Sequence, residues 1–373
     1  MNRAESIVTD LLKKMDVEVN GNRPHDIRVH DKRTFARFLA NHSLGIGETY
    51  MDGWWECDRL DQLMSRLLLS GMPIDRPSLG LKFQKIVSST LNLQSRSRAG
   101  QVCDVHYDLG NDLFSKMLDA RMVYTCGYWK DAQTLESAQE QKMDLICRKL
   151  GIEPGMSILD IGCGWGSFMK FAAERYGARC VGYTLSPKQM ELGQKLCEGF
   201  DIEFRLKDYR DVTGKYDRVV SVGMLEAVGW KNYPEYMTVV SNSLHAEGLA
   251  LIHTMGRNYS TVHTNEWVDR YIFPNGIVPS IQQLGASFEN KLMLEDWHNF
   301  GPDYDLTLME WHRRFQSAWP ELKGTSPVYT ERFKRMWEFY LLSFAANFRA
   351  RNLHLWQLVL SKPGRNQPAC RHT

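Results

Sequence analysis

From Met156 onward, short β-rich apolar runs alternate with longer stretches whose apolar positions recur at helical spacing. That rhythm predicts βαβ units on a parallel sheet. Strands are predicted over Ser157 to Ile161, Ala178 to Tyr183, Ile202 to Leu206, Tyr216 to Val222 and Gly248 to His253. Further runs at Lys291 to Trp297 and His354 to Leu360 complete a seven-stranded sheet, with helices over Tyr304 to Ala318 and Thr330 to Ala350. Upstream the pattern changes. From Ile7 to about Leu69, short helical stretches surround a segment rich in glycine and aromatic residues, Leu44 to Trp55, and predict a small, mainly helical domain. Between the two, Arg76, Lys82, Lys85, Arg96 and Arg98 stand without an acid among Leu79, Phe83, Ile86 and Val87 at helical spacing, the pattern of a basic amphipathic helix. The expected organisation is an N-terminal domain over 1–75, a basic linker over 76–100 and a Rossmann-like α/β domain over 101–373.

Composition narrows the partners. With 46 Lys plus Arg against 44 Asp plus Glu, the net charge of +2 gives no reason to expect nucleic acid. The eight cysteines, at 57, 103, 126, 147, 163, 180, 197 and 370, show no CxxC or Cys/His spacing of a zinc site, so no metal is expected. Met1 to Glu5 lacks the apolar core of a signal peptide, which points to a cytoplasmic, reducing compartment and free thiols. No apolar run approaches the ~20 residues that cross a bilayer. Membrane contact is therefore expected to be peripheral, and the basic stretch reads either as a helix that meets an anionic surface or as a solvated helix docked on the catalytic domain.

Ile158-Leu159-Asp160-Ile161-Gly162-Cys163-Gly164-Trp165-Gly166 is an apolar strand running into a glycine-rich turn that opens a helix, where backbone amides can approach a ligand closely. Asp160 suits a cationic group where a dinucleotide pyrophosphate would be repelled. The next strand ends in Thr184-Leu185-Ser186, without the acid that binds a ribose in NAD proteins, and NAD is disfavoured. The third strand ends at Lys207-Asp208-Tyr209, which makes Asp208 a candidate partner for an adenine amine or else a cap for the following turn.

The chain resembles the cyclopropane-fatty-acyl-phospholipid synthases along nearly its whole length. The motifs that carry the resemblance are Gly47 to Leu60 (GETYMDGWWECDRL), His106 to Phe114 (HYDLGNDLF), Tyr124 to Trp129 (YTCGYW), Leu159 to Gly166, Ser221 to Glu226 (SVGMLE), Tyr271 to Gly276 (YIFPNG), Glu295 to Gly301 (EDWHNFG) and Phe348 to Arg351 (FRAR). The resemblance implies a seven-stranded class I methyltransferase domain behind an N-terminal lipid-engaging domain. It also implies a homodimer working at the inner face of the membrane, on the cis double bond of phospholipid acyl chains. S-adenosyl-L-methionine would be the donor, with Tyr124, Thr125, Gly162, Gly164, Thr184, Ser186, Gln189, Asp208 and Tyr209 at the cofactor. Cys126, Glu226 and His253 match positions that surround a bicarbonate ion serving as base.

The chemistry accounts for such residues. An isolated alkene is a poor nucleophile and must be held in line with the methyl sulfonium, away from water. Tyr124, Tyr128, Trp129, Tyr271, Phe273 and Trp297 are candidate ring faces for stabilising a carbocation without attacking it. Ring closure then removes a proton from the transferred methyl, so a base must lie close by, and bicarbonate is less readily alkylated than a strong nucleophile. Three departures from the family pattern stand out: His312 where the helix commonly carries Tyr, Phe344 where Cys is frequent, and Ala227 where His follows the glutamate. His312 is accordingly a fourth candidate for the catalytic set. These changes leave open a methyl-branched or methylene product, or a lipid-binding relative without activity.

Overall fold

The computed structural model describes residues 2–71, 92, 94–96 and 110–372. Arg76, Lys82, Lys85 and Arg98 of the basic stretch, and His106 to Leu109, lie outside the described residues.

The first helix, α1 (Arg3–Lys13), is closed by a capping box in which Asn2 accepts from the Glu5 amide and the Glu5 side chain returns to the Asn2 amide. A short antiparallel pair, β1 (Arg28–Val29) and β2 (Trp55–Glu56), brackets α2 (Arg33–Met51), and α3 (Leu60–Leu69) follows. The apolar faces of these helices do not close on one another. Val8, Phe35, Trp55, Leu60 and Leu63 belong to one buried cluster with Trp267, Trp311, Trp337 and Tyr340. The last three lie on two long C-terminal helices, so the first seventy residues share their core with the remainder of the chain.

After α4 (Asn111–Met117) and α5 (Leu135–Leu150) the sheet begins. Its elements follow as β3 (Ser157–Ile161), α6 (Ser167–Tyr176), β4 (Arg179–Thr184), α7 (Pro187–Leu196), β5 (Ile202–Leu206), β6 (Tyr216–Val222), α8 (Leu225–Val228), α9 (Tyr233–Ser243) and β7 (Leu244–Gly256). Then come α10 (Glu266–Tyr271), α11 (Ile281–Phe288), β8 (Met293–Asn299), α12 (Pro302–Leu322), α13 (Glu331–Arg349) and β9 (His354–Ser361). The strand order is β5-β4-β3-β6-β7-β9-β8. The first five strands run parallel, and β9 inserts antiparallel between β7 and β8.

All seven predicted strands form. The central ones read as near-continuous apolar runs because both faces are covered, and every residue of β9 is buried. β3 pairs with β4 on one side and β6 on the other, so the chain leaves its carboxyl end in opposite directions and opens a crevice there. α12 and α13 supply one wall of a second cavity beyond the crevice.

Candidate active site

The crevice holds the glycine turn. Gly162 adopts φ 85°, and a Cβ there would stand 2.6 Å from Met224 Cγ, so only glycine fits the close approach of the two loops. The cavity against this turn is walled by Tyr124, Thr125, Asp160, Gly162, Gly164, Thr184, Gln189, Asp208 and Tyr209, nine of the ten residues predicted for the cofactor. Ser186, the tenth, lies behind the wall. Its hydroxyl accepts from the Gln189 amide at 3.3 Å as the cap of α7, and the Thr184 hydroxyl takes the Ser186 amide at 3.2 Å. Burial pushes the Asp160 carboxyl up to about 7, against the pull of Lys142. Asp208 combines both sequence readings. It caps the turn Tyr209–Asp211 through the Arg210 amide at 2.9 Å, pairs with the Arg210 guanidinium, and still faces the cavity.

A second, mainly apolar cavity shares Tyr124, Thr125, Gly223 and Ala227 with the first. Its far walls come from Val268, Phe273, Ile277 and Val278 on one side and from Tyr304, Leu308, Tyr340 and Phe344 of α12 and α13 on the other. One polar pole interrupts it. The Glu226 carboxylate, on α8, accepts the Met255 amide at 2.6 Å and the Thr254 hydroxyl at 3.0 Å, both on Oε1. Oε2 is buried without a partner among the described residues. Burial raises the Glu226 pKa, the three hydrogen-bond contributions only partly opposing it. His253, 1% exposed near the end of β7, has its Nδ1 within 3.4 Å of the Gln357 amide nitrogen and its Nε2 buried with no partner among the described residues. An amide NH2 can only donate, so in this arrangement Nδ1 accepts and the ring proton sits on Nε2. Burial, with Lys142 and Lys149 nearby, holds the imidazole pKa well below its usual value, and the ring is neutral.

Two predicted catalytic residues are not on this pole. Cys126 is fully buried, but its Sγ lies 3.0 Å from the Gly127 carbonyl and 3.9 Å from the Thr307 hydroxyl, and it is not among the cavity's wall residues. Burial raises the thiol's pKa well above its usual value, with Asp303 adding to the effect. His312 faces another layer. Its Nε2 is 3.2 Å from Gln316 Nε2, and its charged neighbours are Glu338, Asp61 and Lys334. Eight residues along α12 from Tyr304 amount to about 12 Å of axial rise and roughly 80° of rotation, which carries the imidazole off the cavity. The aromatic position expected at 312 is filled two turns earlier by Tyr304. Tyr304, Leu308 and Trp311 follow the i, i+4, i+7 stripe of one helix face, the signal that could have located this tyrosine.

Of the aromatic candidates, Tyr124 and Phe273 line the cavity, whereas four are engaged elsewhere. Tyr128 packs on His298 and Phe300, the Trp129 indole donates to Thr307, the Tyr271 hydroxyl donates to Glu48, and Trp297 lies against Trp356. Tyr340 and Phe344 take their place, and the Tyr340 hydroxyl is 2.9 Å from that of Tyr124. Phe344 and Ala227, two of the three departures from the family pattern, thus both border the apolar space.

A parallel sheet with one antiparallel insertion at β9, and an acid-preceded glycine turn at its switch point, together define an S-adenosylmethionine-dependent methyltransferase. Residues 94–358 match the mycolic acid cyclopropane synthetase family. The chain belongs to this family. It is 49% identical over 357 residues to the cyclopropane-fatty-acyl-phospholipid synthase of Escherichia coli (strain K12), covering 95% of this chain and 93% of that one. Among solved structures it superposes on the cyclopropane synthase MmaA2 from Mycobacterium tuberculosis with a TM-score of 0.64 and 29% identity, over 70% of this chain and 98% of that one. The cyclopropane synthase CmaA1, solved with SAH and CTAB, gives a TM-score of 0.63 and 30% identity, over 70% of this chain and 98% of that one.

Proposed function

We infer that the chain works as a cyclopropane-fatty-acyl-phospholipid synthase, converting a cis double bond of a phospholipid acyl chain to a ring. The observation that carries this reading is the apolar cavity that meets the cofactor cavity at Tyr124, Thr125, Gly223 and Ala227 and contains one polar pole. S-adenosylmethionine supplies an electrophilic methyl at that junction. The apolar walls admit an acyl chain and exclude water, while Tyr124, Phe273, Tyr304 and Tyr340 present aromatic groups to a developing cation.

The unpartnered Oε2 of Glu226 and Nε2 of His253 fit a small anion. With Glu226 driven toward its protonated form and the ring proton of His253 on Nε2, both atoms offer donors to a bicarbonate ion. That ion would supply a base for the methyl proton while resisting alkylation. Tyr304 offers a hydroxyl in the same cavity. Docking on the inner face of the membrane through the basic stretch, and assembly as a homodimer, are part of the same proposal. Among the described residues no helix is long and apolar enough to cross a membrane.

Turnover on vesicles of unsaturated phospholipid, in buffer freed of carbon dioxide, tests the anion. Activity should fall several-fold and return on adding bicarbonate. Unchanged turnover in the depleted buffer would remove bicarbonate from the proposal.

A further inference from the structure

Lys142 is 2% exposed, lies on α5 and lines the cofactor cavity. Its Nζ donates to the Thr125 hydroxyl at 2.9 Å. One turn earlier the Gln139 amide donates to the Thr125 carbonyl at 2.7 Å, so α5 holds Thr125 by two bonds. Thr125 is one of the few residues shared by the two cavities. Because the methyl must reach the acyl cavity, the Thr125 end of the cleft receives the donor's methionyl portion and the Asp208 end receives its adenosine.

The methionyl portion is a zwitterion, and each of its charges needs a partner in a cavity that removes both from water. Asp160 supplies the anion for the ammonium. Among the described residues three cations stand on the cofactor wall, and two follow β5 at the Asp208 end: Lys207, which is exposed, and Arg210, which is paired with Asp208 and Glu235. At the Thr125 end the cation is Lys142. An ammonium has three N–H donors, and the structure assigns one of them, to Thr125.

We propose that Lys142 binds the donor's carboxylate while Asp160 takes the adjacent α-ammonium, so that the two side chains together read the amino-acid zwitterion. In the protein alone neither charge is well served. Burial lowers the Lys142 pKa to about 8, against the pull of Asp119, Cys126 and Asp160. The Asp160 carboxyl is displaced in the opposite direction for the same reason. A bound zwitterion gives each its counter-charge.

The test compares S-adenosylhomocysteine with its decarboxylated analogue, which keeps the amine and the adenosine, by calorimetry on the wild type and on Lys142→Met, Lys142→Gln and Lys142→Arg. The wild type should prefer S-adenosylhomocysteine by about tenfold or more, the range of a charge-assisted bond. Lys142→Met and Lys142→Gln should lose that preference while binding the analogue nearly as well as the wild type does, and Lys142→Arg should keep part of it. Equal weakening of both ligands would mean that Lys142 only supports Thr125, and a preference that survives in Lys142→Met would place the carboxylate elsewhere; either overturns the proposal. Should the variants not fold, the wild-type preference is followed from pH 7 to pH 9. It should decline as Lys142 loses its proton, and a flat or missing preference would overturn the proposal.

Discussion

What sets Glu226 and His253 apart is what they do not touch. A carboxyl oxygen and an imidazole nitrogen buried without partners carry a desolvation cost that the fold itself leaves unrelieved, and such atoms point to a missing ligand. Glu226→Gln keeps the shape but removes the acidic donor. It should lower kcat by about a hundredfold or more, the range of an acid–base contribution, and leave the Kd for S-adenosylhomocysteine within about twofold. Cys126→Ser should retain turnover within about threefold of the wild type, since the thiol faces Gly127 and Thr307; a loss comparable to Glu226→Gln would return Cys126 to the catalytic set. Asp160 gives a pH signature. With its pKa raised to about 7, it binds a proton more tightly in the empty protein than when facing the donor's ammonium. Affinity for S-adenosylhomocysteine should therefore be full above pH 7 and fall, by up to about tenfold per unit, as the pH drops below it. Calorimetry at pH 5.5, 6.5 and 7.5 checks this, and Asp160→Asn should flatten the slope.

At the scale of elements, what the sequence made legible follows from period and punctuation. The seven strands were readable because apolar runs on a parallel sheet are bounded by turns, and the glycine turn identified the cofactor crevice because its conformation admits little else. The acyl cavity was only half readable. Its walls come from α8, α10, α12 and α13, together with the loops over 264–278, and no local pattern tells which stripe of a long helix faces which neighbour. The family pattern points to His312, whereas the face of α12 that reaches the cavity carries Tyr304, and Tyr340 reaches it from a second helix. Likewise Cys126 lies next in sequence to the wall residue Thr125, yet it is not itself among the wall residues of the apolar cavity. The seam between α2 and α10 offers a test of how these walls are held. A Cβ on Gly47 would lie 2.3 Å from the Trp267 ring, so Gly47→Ala must push the two helices apart. Overpacking of this kind costs about 1–3 kcal/mol. Because α10 carries Val268 and leads into Phe273 of the cavity wall, Gly47→Ala should lower the Tm and raise the KM for lipid vesicles. Affinity for S-adenosylhomocysteine should stay unchanged.

The whole molecule joins its first seventy residues to the methyltransferase sheet through charge as well as packing. Asp61, on α3, is almost inaccessible and pairs with Arg59 and with Arg349 of α13, which keeps its carboxyl below the usual range despite burial. A carboxyl with a lowered native pKa stabilises the fold above its unfolded pKa, and that contribution is lost as acid protonates it. The proposed contact with the membrane would be a property of the same scale. If the basic stretch between Arg76 and Arg98 meets an anionic surface, vesicle binding should increase with the fraction of anionic lipid and weaken as salt is raised. Binding that ignores salt would defeat this role. The central claim, a methyl delivered into an apolar cavity and closed to a ring by loss of one proton, is tested most directly by supplying S-adenosylmethionine with a trideuterated methyl to the purified protein and unsaturated phospholipid vesicles. The recovered acyl chain should carry a cyclopropane whose new carbon retains two deuterons, with the alkene signals gone. A product holding all three deuterons on a methyl branch, or two on an exocyclic alkene, would contradict the account.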